Sequence, residues 1–107
     1  MNINLELYKV FYYVAKNESI TRAANELSIS QPAISKSIKT LEEQINTQLF
    51  IRKRDGVSLT ETGNIIYKKI KEAMELIDSA ENDLKSLTNL EYGTINIGAS
   101  KTIIHEF

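Results

Sequence analysis

The sequence predicts a mainly α-helical chain, with three short helices and a β-hairpin followed by one long helix. Apolar residues recur at helical spacing in three segments before residue 46, and each segment follows a good N-cap residue. Arg54-Asp55-Gly56 lies between two β-prone runs and predicts a hairpin turn. No proline or glycine interrupts the chain between Asn64 and Tyr92, where aliphatic residues again recur. With 107 residues, 42% of them hydrophobic, the chain can bury one small core.

The first helix is predicted to follow Asn4, a candidate N-cap, and to end at Asn17-Glu18. Its apolar stripe has spacing i, i+4, i+7 and i+8 and consists of Leu7, Phe11, Val14 and Ala15. Three tyrosines flank this stripe: Tyr8, Tyr12 and Tyr13. Tyrosines can stack on nucleic-acid bases, but aromatic residues at this spacing are more typical of a core and its rim, and we favour that interpretation.

The second helix is predicted to start after Ser19, another N-cap candidate. Its stripe at i, i+3, i+4 and i+7 is Ile20, Ala23, Ala24 and Leu27. The paired alanines would let another helix axis come close. Ser28-Ile29-Ser30 then turns the chain, and Ile29 is expected to plug the space under the turn.

The third helix is predicted for residues 30–45, with Ser30 as N-cap and Pro32 in the first turn, where a missing N–H costs little. Its apolar stripe is Ile34, Ile38, Leu41 and Ile45, and a polar face carries Gln31, Ser35 and Lys39, with Pro32 and Lys36 one position on. Two short helices, a polar turn and this polar outer face describe a helix-turn-helix. An ordinary αα-corner is the alternative.

After residue 46, where Asn46 fits the left-handed position beyond a helix end, two short β-prone runs follow at residues 50–53 and 57–59. Arg52, Lys53 and Arg54 crowd the tip of the hairpin. They could form a solvated basic turn, but beside a helix-turn-helix a wing that touches phosphate or the minor groove is the preferred interpretation.

Thr60 is a candidate N-cap for the long helix. Its aliphatic seam steps by 4 and 3 residues in alternation and consists of Ile66, Ile70, Ala73, Ile77, Ala80, Leu84 and Leu87. The seam could pack wholly on the chain's own domain, but it is long for so small a domain. We therefore predict that a second subunit contributes a partner helix. Tyr92-Gly93 is expected to break the helix, and residues 94–97 alternate like a strand.

Four segments carry a resemblance to a known family: SITRAANEL at 19–27, SQPAISKSIKTLEE at 30–43, LFIR at 49–52 and LTETG at 59–63. In this order they resemble the DNA-binding signature of LysR-type transcriptional regulators. The sequence departs from the usual pattern at Lys36, Asn46 and Gln48, where the family more often has Arg, Gly and Pro.

The resemblance implies a winged helix-turn-helix over residues 1–59, a linker and dimerisation helix over 60–91, and the start of a truncated effector domain over 92–107. It implies a homodimer on a partly palindromic site of double-stranded DNA, a higher oligomer for the full-length protein, no cofactor in this fragment, and a small-molecule effector for the missing domain. The candidate DNA contacts are Thr21, Arg22, Ser30, Gln31, Pro32, Ser35, Lys36, Lys39, Arg52, Lys53 and Arg54.

The net charge of −1 is unevenly distributed. Residues 19–54 carry six basic and three acidic side chains, a net charge of +3, whereas residues 60–91 carry four basic and seven acidic ones, a net charge of −3. The positive charge therefore coincides with the helix-turn-helix motif, which argues against the rival interpretation of a coiled-coil module that binds only protein. The excess is modest, so we expect steep salt dependence and useful affinity only from a dimer.

The composition offers no basis for an enzyme. The chain has no cysteine, which excludes a thiolate metal site, and its one histidine, His105, gives no support to a metal cluster or a nucleophile–histidine pair. Glu42 and Glu43 are adjacent on a helix and point apart, unlike a catalytic carboxylate pair. The sequence lacks an apolar stretch long enough to span a membrane and a signal-peptide pattern, so a cytoplasmic protein is expected.

Overall fold

The computed structural model describes residues 1–95, with side-chain environments for residues 1–88. The elements of this part are α1 (Leu5–Asn17), α2 (Ile20–Leu27), α3 (Gln31–Ile45), β1 (Phe50–Lys53), β2 (Gly56–Leu59) and α4 (Glu61–Ile95). This confirms the predicted mainly α-helical chain with a two-stranded hairpin. The chain divides into two compact units, Met1–Glu72, which we call the head, and Ala73–Phe107.

All four predicted N-caps are confirmed. The side chains of Asn4, Ser19, Ser30 and Thr60 accept hydrogen bonds from backbone N–H groups two or three residues later, at 2.8, 3.0, 3.2 and 2.9 Å. Each bond satisfies an N–H group that has no partner within its helix. The caps therefore fix where each helix begins.

The first three helices end in the same way, with a residue of positive φ. Asn46 has φ 55° as predicted, while Glu18 (φ 52°) and Ser28 (φ 58°) adopt the same conformation without being glycine or asparagine. Their N–H groups bond back to carbonyls of the last helical turn. The sequence carries no signal for left-handed Glu18 or Ser28, because neither residue type favours that conformation.

The head has one hydrophobic core, built from the inward stripes of the three short helices and from the hairpin. Its buried members are Val10, Phe11, Val14, Ala15, Ala23, Ala24, Ile34, Ile38, Leu41, Leu49, Phe50 and Val57. The rings of Phe11 and Phe50 pack with centroids 5.4 Å apart, which joins α1 to β1. The predicted stripes of α1 and α3 are thus on the core side, with Leu7 and Ile45 at its edge.

One expected core residue lies elsewhere. The sequence predicts that Ile29 plugs the turn between α2 and α3, but its side chain is 40% exposed. The turn is closed by the backbone instead, because Ser28 is left-handed and the Ile29 N–H donates to the Ala24 carbonyl at 3.0 Å. This geometry ends α2 and leaves Ile29 on the outside.

The hairpin pairs Phe50 with Leu59 and Lys53 with Gly56, so Gly56 belongs to β2 rather than to the turn. Gly56 has φ 150°, and a Cβ there would collide with the carbonyl oxygen of Glu18. That oxygen accepts the Val57 N–H at 3.3 Å. The glycine is therefore needed because the hairpin lies directly against the end of α1.

The base of the hairpin is joined to the start of α4. The N–H of Thr60 donates to the Leu49 carbonyl at 2.9 Å, and its hydroxyl donates to the Gln48 carbonyl at 2.8 Å. A Cβ at Gly63 would collide with the same Leu49 carbonyl oxygen. The first turn of α4 is thus packed closely on the chain segment that precedes β1.

The predicted break at Tyr92-Gly93 is wrong, because α4 continues through both residues to Ile95. Glycine lowers helix stability by about 1 kcal/mol relative to alanine but keeps its N–H, so a single glycine does not by itself end a helix. The predicted strand over 94–97 is contradicted at its first two residues, and its remainder lies outside the described residues. In the part of the chain that the structure describes, no helix has the length and apolar character needed to cross a bilayer.

Candidate nucleic-acid interface

Helix α3 has one buried face and one accessible face. Ile34, Ile38 and Leu41 are buried in the core, whereas Gln31, Lys36 and Lys39 are exposed and Ser35 is half-buried. Ser30, at the N-cap, and Pro32, in the first turn, are exposed as well. The helix therefore offers an amide, a hydroxyl and two ammonium groups on its outer side, without disturbing its packing.

A groove of about 370 Å³ brings most of the candidate residues together. Ser19 and Thr21 from the start of α2 form one wall, and Gln31 and Ser35 from α3 form another. The basic end of the hairpin closes it with Arg52, Lys53 and Arg54. Three separate segments of the sequence thus converge on one polar surface, which we call the first groove.

A second groove of about 410 Å³ lies along the other side of the accessible face of α3. It is lined by Ser35, Lys36, Lys39, Gln48 and Arg52, together with Ile38, Glu42 and Phe50. Ser35 and Arg52 line both grooves, so α3 and the hairpin are adjacent over this whole surface.

Three candidates are not brought into these grooves. Arg22, Ser30 and Pro32 are exposed but line neither of them. The N–H of Arg22 is used by the Ser19 cap, while its side chain faces solvent. Any contact they make would therefore lie at the edge of the surface rather than at its centre.

The basic side chains of this surface form no ion pair among the described residues, although Asp55 lines the first groove beside them and Glu42 lines the second. The ion pair found among residues 1–88 joins Lys16 to Glu26, at 3.1 Å. No carboxylate of the described part therefore lies within ion-pair distance of Lys36, Lys39, Arg52, Lys53 or Arg54. Unpaired basic groups around an accessible helix face suit a polyanion such as the nucleic-acid backbone.

Two polar arrangements in the head are missed by sequence reasoning. The first is Glu42, whose carboxylate oxygen Oε2 accepts the backbone N–H groups of Leu49 at 2.7 Å and Phe50 at 3.1 Å. The only signal is that Glu42 is the first acid on the basic face of α3. That position alone does not reveal its backbone partners, because they lie seven and eight residues further along the chain.

The second arrangement joins α1 to α2. Lys16 donates to Glu26 Oε2 at 3.1 Å, and the Asn17 amide donates to Glu26 Oε1 at 3.0 Å and to the Tyr13 carbonyl at 2.8 Å. The Lys16 ammonium also lies 4.6 Å from the Tyr13 ring centroid and 5.5 Å from that of Tyr12. These contacts join the end of α1 to α2, the first helix of the helix-turn-helix.

The ionisation of this pair reflects its contacts. Hydrogen bonds from Asn17 and Lys16 lower the pKa of Glu26 below its ordinary value of 4.5, against a small opposing effect of burial. Partial burial works to lower the pKa of Lys16, but the hydrogen bond and charge of Glu26 outweigh it and raise that pKa above 10.5. Both groups are therefore charged near neutral pH.

The candidate dimerisation residues fall into two groups. Ile66 and Ile70 are half-buried and pack against the core of the head. The later aliphatics are exposed, with Ile77 49%, Leu84 50% and Leu87 56% accessible. Ala73 and Ala80 are exposed between them. The predicted seam is thus divided between packing within the head and an accessible stripe that begins at Ala73.

Comparisons with known proteins identify the family. A family model described as bacterial regulatory helix-turn-helix protein, lysR family, matches residues 5–64. The chain is 35% identical over 107 residues to the uncharacterized HTH-type transcriptional regulator YcaN of Escherichia coli (strain K12), an alignment that covers 100% of this chain and 35% of that protein. It is 35% identical over 103 residues to the RuBisCO operon transcriptional regulator of Allochromatium vinosum, covering 96% of this chain and 34% of that protein.

The chain therefore spans about a third of the length of these curated relatives. Among solved structures, it resembles the BenM_DBD/benA site 1 DNA complex, with a TM-score of 0.69 and 29% identity over 79% of this chain and 99% of that chain. The BenM_DBD/catB site 1 DNA complex gives a TM-score of 0.71 and 29% identity over 80% of this chain and 97% of that one. Because the family model covers more than half of its length, the protein belongs to the lysR family of bacterial regulatory helix-turn-helix proteins, and its head has the winged helix-turn-helix fold of their DNA-binding domains.

Proposed function

We propose that this chain is the DNA-binding and dimerisation part of a transcriptional regulator that reads a partly palindromic site on double-stranded DNA. The observation that carries the proposal is the first groove, where the polar face of α3 meets the basic end of the hairpin, whose side chains form no ion pair among the described residues. An α-helix fits the major groove, and basic groups beside it fit the flanking phosphates. The resemblance to BenM structures solved with DNA supports the same assignment.

The residues have different roles in this proposal. Gln31, Ser35, Lys36 and Lys39 contact base edges or phosphates from α3, with Ser30 and Pro32 at its entry. Thr21 and Arg22 contact phosphate from the start of α2. Arg52, Lys53 and Arg54 hold the flanking backbone or minor groove.

The proposal assigns residues 1–59 to DNA binding, residues 60–91 to a dimerisation helix, and residues 92–107 to the start of an effector domain that senses a small molecule in the full-length protein. The accessible stripe of Ile77, Leu84 and Leu87 supports the dimer, because exposed aliphatics at a 3–4 spacing suit a partner helix. One head offers few phosphate contacts, and a dimer doubles them. The relatives are named regulators, and we infer a non-enzymatic protein that acts in the cytoplasm, with higher oligomers for the full-length chain.

The experiment that tests the proposal is selection of bound sequences from a random duplex library with the whole chain. We expect enrichment of a motif with two related half-sites. Binding to the enriched duplex should weaken steeply with salt, because each neutralised phosphate releases counterions. A chain that enriches no motif and shows no binding competable by duplex DNA would contradict the proposal and favour a coiled-coil module that binds only protein.

A further inference from the structure

Glu42 is an acidic residue on the side of α3 that carries the basic surface. It lines the second groove together with Lys36, Lys39 and Arg52. A carboxylate at this position repels DNA phosphates, so it works against binding unless it has another role. Among the described residues it forms no ion pair that would neutralise it.

The hydrogen bonds of Glu42 reveal such a role. One carboxylate oxygen accepts both the Leu49 N–H, at 2.7 Å, and the Phe50 N–H, at 3.1 Å. Within the described part of the chain, these are the side-chain hydrogen bonds that join α3 to the start of β1. The side chains of Leu49 and Phe50 are buried and the two hydrogen bonds are partly buried, so loss of the acceptor would leave two poorly solvated N–H groups without their partner.

The anchored segment leads directly into the basic end of the hairpin. Arg52 follows Phe50 by two residues on the same strand, and it lines both grooves beside α3. A strand advances by roughly 3.3 Å per residue, so Arg52 lies close to the anchored Phe50 along β1. Other contacts hold the hairpin as well, namely the bonds of Val57 to Glu18 and of Thr60 to Leu49, but the Glu42 bonds join the start of its first strand directly to α3.

We propose that Glu42 is a positioning residue for DNA recognition. Its carboxylate fixes the start of β1 on α3, so that the wing meets the backbone beside the bases that α3 reads. The inference rests on the proposed function of this surface. It assigns Glu42 a role as a hydrogen-bond acceptor, while its negative charge is incidental.

Three variants of the whole chain separate these roles. Glu42→Gln keeps an oxygen that can accept both N–H groups but loses the charge. Glu42→Asp keeps the charge but is one methylene too short to reach. Glu42→Met keeps the length and loses the acceptor. Each variant is also made together with Lys53→Ala and Arg54→Ala, which remove the basic groups that Glu42 is proposed to position.

The measurement is equilibrium binding to the duplex enriched from the random library, with thermal unfolding and amide hydrogen exchange on the same samples. We expect Glu42→Gln to bind within about threefold of the parent, and Asp and Met to bind roughly tenfold more weakly. In the background without the two wing residues, the gap between Gln and Met should shrink to about twofold, because Glu42 acts through the wing. Exchange at Leu49 and Phe50 should be faster in the Asp and Met variants.

Other results overturn the inference. Equal losses for Gln and Met would assign the effect to charge, and an undiminished gap in the wing-deficient background would assign it to general stability of the head. If Glu42→Met does not fold, the comparison of DNA affinity between Glu42→Gln and Glu42→Asp tests the inference by itself. If removal of the two wing residues weakens binding but no Glu42 variant does, the proposed function stands and this inference is wrong. A parent that does not bind duplex DNA at all would remove both.

Discussion

Ile34 in α3 and Ile77 in α4 both belong to apolar stripes at helical spacing, yet Ile34 is fully buried and Ile77 is 49% exposed. The same contrast holds for their neighbours, since Ile38 and Leu41 are in the core whereas Leu84 and Leu87 are accessible. The stripes of the head find partners within one chain. The stripe that begins at Ala73 has none among the described residues.

This contrast separates two uses of one sequence pattern. In the head, apolar spacing specifies a fold and leaves the other helix faces free for polar chemistry. In the later part of α4, several exposed aliphatics on one side of a helix form the kind of surface that soluble proteins cover by association. Periodicity alone does not distinguish these uses, because it reports which residues share a face and not what covers that face.

The largest effect is expected from charges placed on the exposed aliphatic stripe of α4. We predict that Ile77→Glu with Leu84→Glu converts a dimer into a monomer, because buried, unpaired like charges at a helix interface are strongly unfavourable. Affinity for the two-half-site duplex should fall by about 100-fold, since the second half-site is no longer linked. Light scattering and gel-shift titration on the same samples measure mass and affinity. Ile70 is left unchanged because it packs on the core of the head.

A matched control carries the same added charge on the other side of the helix. Asn82→Glu with Ser86→Glu places two acids at exposed positions away from the seam. This variant should remain dimeric and bind within a few-fold of the parent. If the two double variants behave alike, or the seam variant is monomeric yet binds as tightly as the parent, α4 is not the interface on which recognition depends.

A second prediction tests whether the accessible face of α3 serves DNA binding while its buried face maintains the fold. Ser35→Ala with Lys36→Ala should lower binding to the selected site by about 1–3 kcal/mol for each group that contacts a base. The midpoint temperature of thermal unfolding should change by no more than about 4 °C, because neither residue is part of the buried stripe. Gln44→Ala, an exposed change near the end of α3, is the control. Unchanged affinity in the double variant would show that this helix is not the reader.

The third prediction concerns the wing, which we expect to act mainly through phosphate. Lys53→Ala with Arg54→Ala should weaken binding to all duplexes to a similar degree. The slope of log K against log salt should flatten by roughly 0.9 for each phosphate that the wing no longer neutralises. Lys68→Ala with Lys69→Ala removes two exposed charges of α4 and serves as the comparison. A constant slope combined with a changed base preference would instead mean that the wing reads bases.

The smallest expected effect tests polar contacts in the head. The pKa of Glu26 is lowered by its hydrogen bonds with Asn17 and Lys16, so its contribution to stability is present above pH 4.5 and is lost as pH falls through the lowered value. Glu26→Gln should reduce stability at pH 7 by less than about 1 kcal/mol, because the pair is solvent-screened. Denaturant titrations at a series of pH values from 7 downward provide the measurement. A stability difference between Glu26→Gln and the parent that grows as the pH falls below 4.5 would contradict the assignment.

Local signals in the sequence predict most of the head. Asn4, Ser19, Ser30 and Thr60 act as caps because their short polar side chains reach backbone N–H groups nearby in the chain. The stripes of α1 and α3 follow from spacing alone. These features depend on residues a few positions apart, which the sequence displays directly.

The features that the sequence does not predict depend on distant parts of the chain. Glu42 bonds to the start of β1, Lys16 pairs with Glu26 ten residues later, and Gly56 is required by the nearby carbonyl of Glu18. Each needs the folded head to bring its partner close. Ile29 and Gly93 differ from expectation for another reason, because a hydrophobic residue in a turn and a glycine in a helix each fit two local structures.

The hydrogen bonds of Thr60 have a consequence for length variation in the hairpin. Because Thr60 bonds to the carbonyls of Gln48 and Leu49, the two ends of the hairpin are joined at its base, and α4 begins at that base rather than at the tip. Residues inserted between Arg54 and Asp55 would lengthen the loop at a modest entropic penalty while leaving the spacing between α3 and the start of α4 unchanged. The length of the hairpin can therefore change independently of the arrangement of the helices, and with it the reach that we propose for the wing along a duplex.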